Sequence, residues 1–121
     1  MHVIPTRIHG MLDYIVALLL ILAPWLFGFA DNGPAQWVPV TLGVAIIVYS
    51  LLTDYELGAA SVIPLGAHLG IDVLAGIFLT MSPWLFGFDG LITWPHVAFG
   101  LLAIVVATLT PGRTYRLAAR M

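Results

Sequence analysis

Apolar residues along this chain form neither a period-two alternation nor a narrow helical stripe. They run in four nearly unbroken blocks, 8–29, 35–53, 64–88 and 93–111, separated by short polar clusters. A helix needs about 20 apolar residues to cross a hydrocarbon core about 30 Å thick, and each block comes close to that length. The pattern therefore predicts four transmembrane helices. Turn chemistry punctuates them: Pro5 suits a first helical turn, Asp31-Asn32-Gly33-Pro34 closes one hairpin, Asp89-Gly90 closes another, and Pro111-Gly112 ends the last helix. Pro24 and Pro83 fall in the far third of helices 1 and 3, where a kink or an early end is expected.

The blocks come in two copies. Ala23-Pro24-Trp25-Leu26-Phe27-Gly28-Phe29 returns as Ser82-Pro83-Trp84-Leu85-Phe86-Gly87-Phe88. The displacement that carries Pro24 onto Pro83 also carries Pro5 onto Pro64, His9 onto His68, Asp13 onto Asp72 and Leu20 onto Leu79. A slightly shorter displacement carries Trp37 onto Trp94, Gly43 onto Gly100 and Ile47-Val48 onto Ile104-Val105. Self-similarity of this kind means one structural unit used twice. Repeat 1 spans about 3–53 and repeat 2 about 62–110 of a single domain, joined through the polar stretch Asp54-Tyr55-Glu56. Helices 1 and 3 then start on the same side, so the repeats are parallel, related by a pseudo-two-fold axis along the membrane normal. Helix contacts within lipid rest on small residues. Gly100, Ala103 and Ala107 supply one stripe on helix 4, and Gly66 and Gly70 are expected to be packing glycines on helix 3.

Composition agrees with a membrane chain. Of 121 residues, 61% are hydrophobic and 8% charged, against about 25% charged in a soluble domain. Mean hydropathy is +1.06. The bilayer is thus the expected surrounding. A net charge of −2 with no basic tract gives nucleic acid no footing, and the absence of cysteine removes disulfides, thiolate metal sites and thiol redox chemistry. The N-terminal apolar block is not read as a secretory leader, because it recurs in mid-chain. All four arginines (Arg7, Arg113, Arg116, Arg120) lie towards the termini, and all four tryptophans (Trp25, Trp37, Trp84, Trp94) flank the hairpin turns. The positive-inside rule then predicts a multi-pass protein of the inner (plasma) membrane with both termini cytoplasmic and an aromatic belt at the outer interface.

Chemistry-bearing residues are few. His9 and Asp13, like His68 and Asp72, are four apart, so each pair shares a helical face and each Asp can reach its own His. The same face carries Leu20 and Pro24 in one copy and Leu79 and Pro83 in the other, which turns both pairs towards the facing repeat. Three roles are open to them. They can lock the bundle, with Tyr14, Tyr49 or Ser50 as further partners; they can handle protons, since two carboxylates held close in a low dielectric do not ionise independently; or His9 and His68 can ligate a haem or a metal. Locking is the expectation, with no cofactor and no metal. No serine-nucleophile pattern, phosphate loop or HExxH motif is present, and no enzyme is expected.

Ser82-Pro83-Trp84 within an apolar helix, repeated as Ala23-Pro24-Trp25 with a His and an Asp upstream of each, resembles the SPW repeat family of small membrane proteins. The resemblance covers residues 3–110. It implies an all-α integral membrane protein of four transmembrane helices arranged as two helical hairpins, and it implies a fold rather than an activity. Ala23 stands where the name-giving serine would be, which favours a structural role for Pro24, Trp25 and Gly28 and for Ser82, Pro83, Trp84 and Gly87. The expected function is a structural or accessory membrane module. A small transporter or proton-coupled protein using Asp13 and Asp72 is the alternative, and the partners left open are a second copy or another membrane protein.

Overall fold

A computed structural model of the chain describes residues 3–112. Four helices follow one another: α1 (Thr6–Leu26), α2 (Pro34–Leu51), α3 (Leu65–Leu85) and α4 (Trp94–Thr108). There is no strand among the described residues beyond a single bridge between Thr53 and Ile63. α1 packs chiefly on α2 and α3 chiefly on α4, with lesser contacts of α2 with α3 and of α1 with α4. The result is two hairpins side by side.

All four helices start at or next to a proline, and α1 and α3 end just before a glycine. Pro5 and Pro64 are the N-caps of α1 and α3, and Pro34 and Pro95 lie in the first turns of α2 and α4. These are positions where a missing N–H costs no hydrogen bond. At the other end, α1 and α3 stop three residues before the ends of their apolar blocks, at Leu26 and Leu85. Gly28 (φ 74°) and Gly87 (φ 71°) take the left-handed conformation. This lets Phe29 N–H return to the Pro24 carbonyl and Phe88 N–H to the Pro83 carbonyl, each at 2.8 Å. That six-to-one bond is a Schellman cap, and a side chain at the glycine would cost about 1–2 kcal/mol. The repeated heptapeptide is thus a helix terminator, with the following Phe29 and Phe88 buried against Ala23 and Ala35. Of the two expectations at Pro24 and Pro83, the early end is the one observed.

Prolines inside these helices leave carbonyls without an N–H, and nearby side chains supply donors. Pro83 deprives the Leu79 carbonyl, and the Ser82 hydroxyl donates to it at 2.6 Å. Pro39 deprives the Ala35 carbonyl, and His96 Nε2–H donates to it at 2.8 Å across the bundle. In lipid such repair is what makes a mid-helix proline tolerable. Ala23 has no hydroxyl to offer the corresponding Leu20 carbonyl.

Within each hairpin the helices touch backbone to backbone. A Cβ on Gly43 would stand 2.6 Å from the Ala17 carbonyl oxygen, and one on Gly100 would stand 2.6 Å from the Gly76 carbonyl oxygen and 2.1 Å from Thr80 Oγ1. Gly66 and Gly70 depart from expectation. Both are exposed, Gly70 has nothing within 4 Å, and Gly66 approaches only the Gly112 carbonyl. They pack against no helix among the described residues, because the inward face of α3 is given to His68, Asp72, Gly76 and Leu79.

The molecule is inverted with respect to a water-soluble bundle. Leu18, Leu22, Val44, Val48, Leu74, Leu101 and Val105 are exposed in mid-helix, with Leu74 at 70%, whereas His9, Asp13, His68, Asp72, Ser82 and His96 are buried. Only a lipid solvent makes that arrangement favourable. α1, α2 and α3 are long and apolar enough to cross a membrane, and α4 is shorter. Its 15 residues reach about 22 Å. Its helical run opens only after Thr93, because the Phe88 carbonyl holds Leu91 and Ile92 in a turn. The tryptophans at the hairpin end are all more than half or about half exposed. Of the arginines used for orientation, Arg113, Arg116 and Arg120 lie outside the described residues.

Candidate functional site

The four repeated polar residues meet at one place. His9 and Asp13 lie one and two turns into α1, and His68 and Asp72 occupy the same places in α3. His9 Nε2 is 3.1 Å from Asp13 Oδ1 and 3.0 Å from Asp72 Oδ2, while His68 Nε2 is 2.9 Å from Asp13 Oδ2 and 3.2 Å from Asp72 Oδ2. Each imidazole therefore faces both carboxylates, its own and the other repeat's. The two rings meet edge to face at 5.5 Å. Exposure is 1% and 0% for the histidines and 8% and 6% for the aspartates. The tetrad is buried within the bundle.

A surrounding layer fixes each group. Thr53 Oγ1 donates to the Tyr49 carbonyl at 2.6 Å and lies 2.6 Å from His68 Nδ1. Thr110 Oγ1 donates to the Val106 carbonyl at 2.7 Å and lies 2.9 Å from His9 Nδ1. A hydroxyl has one hydrogen, and here it is spent on a helix-end carbonyl, so each threonine can only accept from the imidazole. Both histidines consequently carry a proton on Nδ1 and point Nε2 at the carboxylates. A bare Nε2 lone pair beside two carboxylate oxygens would be repelled, so each Nε2 needs a proton or another cation between it and them. With two such protons the tetrad is a ring of alternating charge with no net charge, the form of buried ion cluster that avoids an uncompensated charge.

The carboxylates are held from outside by phenols. Tyr49 OH donates to Asp72 Oδ1 and Tyr55 OH to Asp13 Oδ2, the latter at 2.7 Å. Burial, with the Asp13 charge adding to it, pushes the Tyr55 hydroxyl well above the usual phenol value, which keeps it a donor. The segment 52–64 that carries Tyr55 closes over this end of the bundle, with Asp54 N–H bonded to the Ile63 carbonyl and Ile63 N–H to the Leu52 carbonyl. Gly58 fits there because a Cβ would stand 2.0 Å from the Thr53 carbonyl oxygen.

Sequence placed the four residues together but paired each Asp with its own His, whereas the ring is shared. Of the further partners expected, Tyr49 reaches Asp72, while Tyr14 instead donates to the Leu57 carbonyl at 2.8 Å. Thr53, Thr110 and Tyr55 were not singled out. The threonines had a signal: the shorter displacement that carries Gly43 onto Gly100 carries Thr53 onto Thr110. Tyr55 had none, since Gly112 occupies the matching position. The Pro-Trp motif lies at the opposite end of the bundle, at the caps of α1 and α3, and does not join the tetrad.

A haem between His9 and His68 does not fit. Asp13 and Asp72 fill the space between the ring nitrogens, and the adjoining cavity, bounded by Ile46, Ala103 and Val106, is about 40 Å³, room for one water-sized species. Neither the curated proteins nor the solved structures offer a match to this chain. A family model for the SPW repeat domain matches residues 7–110, which takes in the four helices but for Thr6, the first residue of α1, and every residue of the tetrad. The chain belongs to the SPW repeat domain family.

Proposed function

We propose that this protein is a structural or accessory membrane module rather than an enzyme, and that the His–Asp tetrad is the clamp joining its two hairpins. The observation that carries this reading is that polar bonds at the tetrad run between repeats as well as within them: His9 to Thr110 and Asp72, His68 Nδ1 to Thr53, and Tyr49 to Asp72, with His68 Nε2 2.9 Å from Asp13 Oδ2. The proton-handling alternative needs a polar route onward to the tryptophan end. Beyond Asp13 and Asp72 the next buried positions are Ala17, Leu20 and Ala23 on α1 and Gly76 and Leu79 on α3, so about two turns of each helix pass without a buried polar side chain before the buried Ser82 is reached. Proteoliposomes holding the protein are accordingly expected to dissipate an imposed pH gradient no faster than empty vesicles. A faster decay that disappears in Asp13→Asn or Asp72→Asn would replace the clamp by a proton pathway.

The proposal extends to placement: the inner (plasma) membrane, with both termini cytoplasmic and the tetrad in the cytoplasmic half. The support is the tryptophan-rich hairpin end, exposed as a belt would be, opposite Arg7 in the first turn of α1, together with the three further arginines that follow α4 in the sequence. Reporter fusions at residue 121 and in the 31–34 loop should report cytoplasmic and external locations respectively, and an external C-terminus would reverse the orientation.

A further inference from the structure

We propose that His9, Asp13, His68 and Asp72 form a binding site for one divalent transition-metal ion of the zinc kind, with two imidazole Nε2 atoms and two carboxylates as ligands. This rests on the clamp reading, because it is the clamp that gathers the donors.

Geometry is the first support. One ligand atom from each of the four residues lies within 4.8 Å of all the others, and the four nitrogen-to-oxygen separations are 2.9–3.2 Å. Metal bonds of about 2.0–2.1 Å in a tetrahedral site place ligand atoms about 3.3 Å apart. The nitrogen-to-oxygen separations are thus close to those between the ligand atoms of one four-coordinate ion. Asp72 presents one oxygen to both nitrogens, whereas Asp13 presents a different oxygen to each, so Asp13 is the ligand that can bind through one oxygen or two.

An independent observation points the same way. His68 Nε2 is fully buried and makes no hydrogen bond of acceptable alignment, although Asp13 Oδ2 and Asp72 Oδ2 lie beside it. A nitrogen directed along neither neighbouring oxygen is poorly used by a proton and well used by an ion set between them. The outer contacts are those a metal site requires. Nδ1–H of each histidine is anchored on a threonine hydroxyl, which aims Nε2 inward, and each carboxylate accepts from a tyrosine.

Charge balance permits the exchange. The metal-free ring holds two Nε2 protons and two carboxylate charges. A divalent ion entering forms two metal–Nε2 bonds as the two N–H bonds break, and the two protons leave to water. Net charge is zero before and after, so the buried site gains no uncompensated charge. Imidazole with carboxylate favours zinc and its borderline neighbours over calcium or magnesium, which take oxygen alone.

The test uses full-length protein in detergent, stripped with chelator and then given Zn²⁺ or Co²⁺. About one metal per chain by elemental analysis, a raised melting temperature with Zn²⁺, and the intense visible bands of tetrahedral Co²⁺ are expected, with His96→Gln binding as the parent does. Thr53→Val and Thr110→Val keep all four ligands and should bind about 10- to 100-fold more weakly, which guards against ligand variants that fail to fold. Folded protein that takes up no stoichiometric metal, gives only weak octahedral Co²⁺ bands, or binds unchanged after His9→Ala with His68→Ala overturns the assignment. No uptake together with a large stability loss in Asp72→Ala removes the metal and leaves the clamp. Unchanged melting of Asp72→Ala removes the clamp itself.

Discussion

Asp72→Ala is expected to lower the stability of the detergent-solubilised protein by about 3–5 kcal/mol, the cost of removing one partner from a buried ionic cluster. Asp72 is 6% exposed and faces His9, His68 and Tyr49 at once. Truncation leaves an imidazole charge without its counterweight and a tyrosine hydroxyl without its acceptor. Asp72→Asn should lose less, since an amide oxygen still accepts from Tyr49. The shared ring makes a sharper prediction than the size of any single loss. Double-mutant cycles should find coupling of about 0.5–3 kcal/mol for all four His–Asp combinations, because the four separations differ by only 0.3 Å, from 2.9 to 3.2 Å. Coupling confined to His9 with Asp13 and His68 with Asp72 would mean two separate pairs and no ring.

Gly43→Ala and Gly100→Ala should each cost about 1–3 kcal/mol, the usual cost of overpacking a tight contact. The obstacles are backbone atoms, which cannot rotate aside: the Ala17 carbonyl oxygen at 2.6 Å for Gly43, and the Gly76 carbonyl oxygen at 2.6 Å for Gly100. At Gly100 the new methyl would also displace Thr80 Oγ1 from its bond to the Gly76 carbonyl. Gly70→Ala is the control, with nothing within 4 Å of its added carbon, and should stay within about 0.5 kcal/mol of the parent. Equal losses at Gly70 and Gly100, read by thermal unfolding in one detergent, would contradict the close crossing of α3 and α4.

Most of the fold follows from features a reader of the sequence can see. Apolar block length fixes four helices, and duplication places His9 beside His68 and Asp13 beside Asp72. Two things were not legible. The GxxxG of Gly66 and Gly70 carries no information about which way a helix faces, and α3 turns its larger polar residues inward instead. The sharing of each aspartate by both histidines depends on distances across the repeat interface, to which the four-residue spacing along one helix is blind. Tyr55 belongs to the same class, since a loop residue with no copy in the second repeat announces nothing until the 52–64 segment folds back over the site.

Each hairpin brings one histidine, one aspartate and one threonine to the ring, and it binds the other hairpin's set. The covalent link between them, residues 52–64, supplies Thr53 and Tyr55 but does not decide which second hairpin closes the ring. The α1–α2 half of one molecule offers the same surface to the α3–α4 half of its own chain and to that of a neighbour. Exchange of halves between molecules therefore preserves every polar bond of the site. What opposes such an exchange is the folded link itself, where Asp54 N–H bonds to the Ile63 carbonyl and Ile63 N–H to the Leu52 carbonyl, and the high local concentration of the chain's own second hairpin.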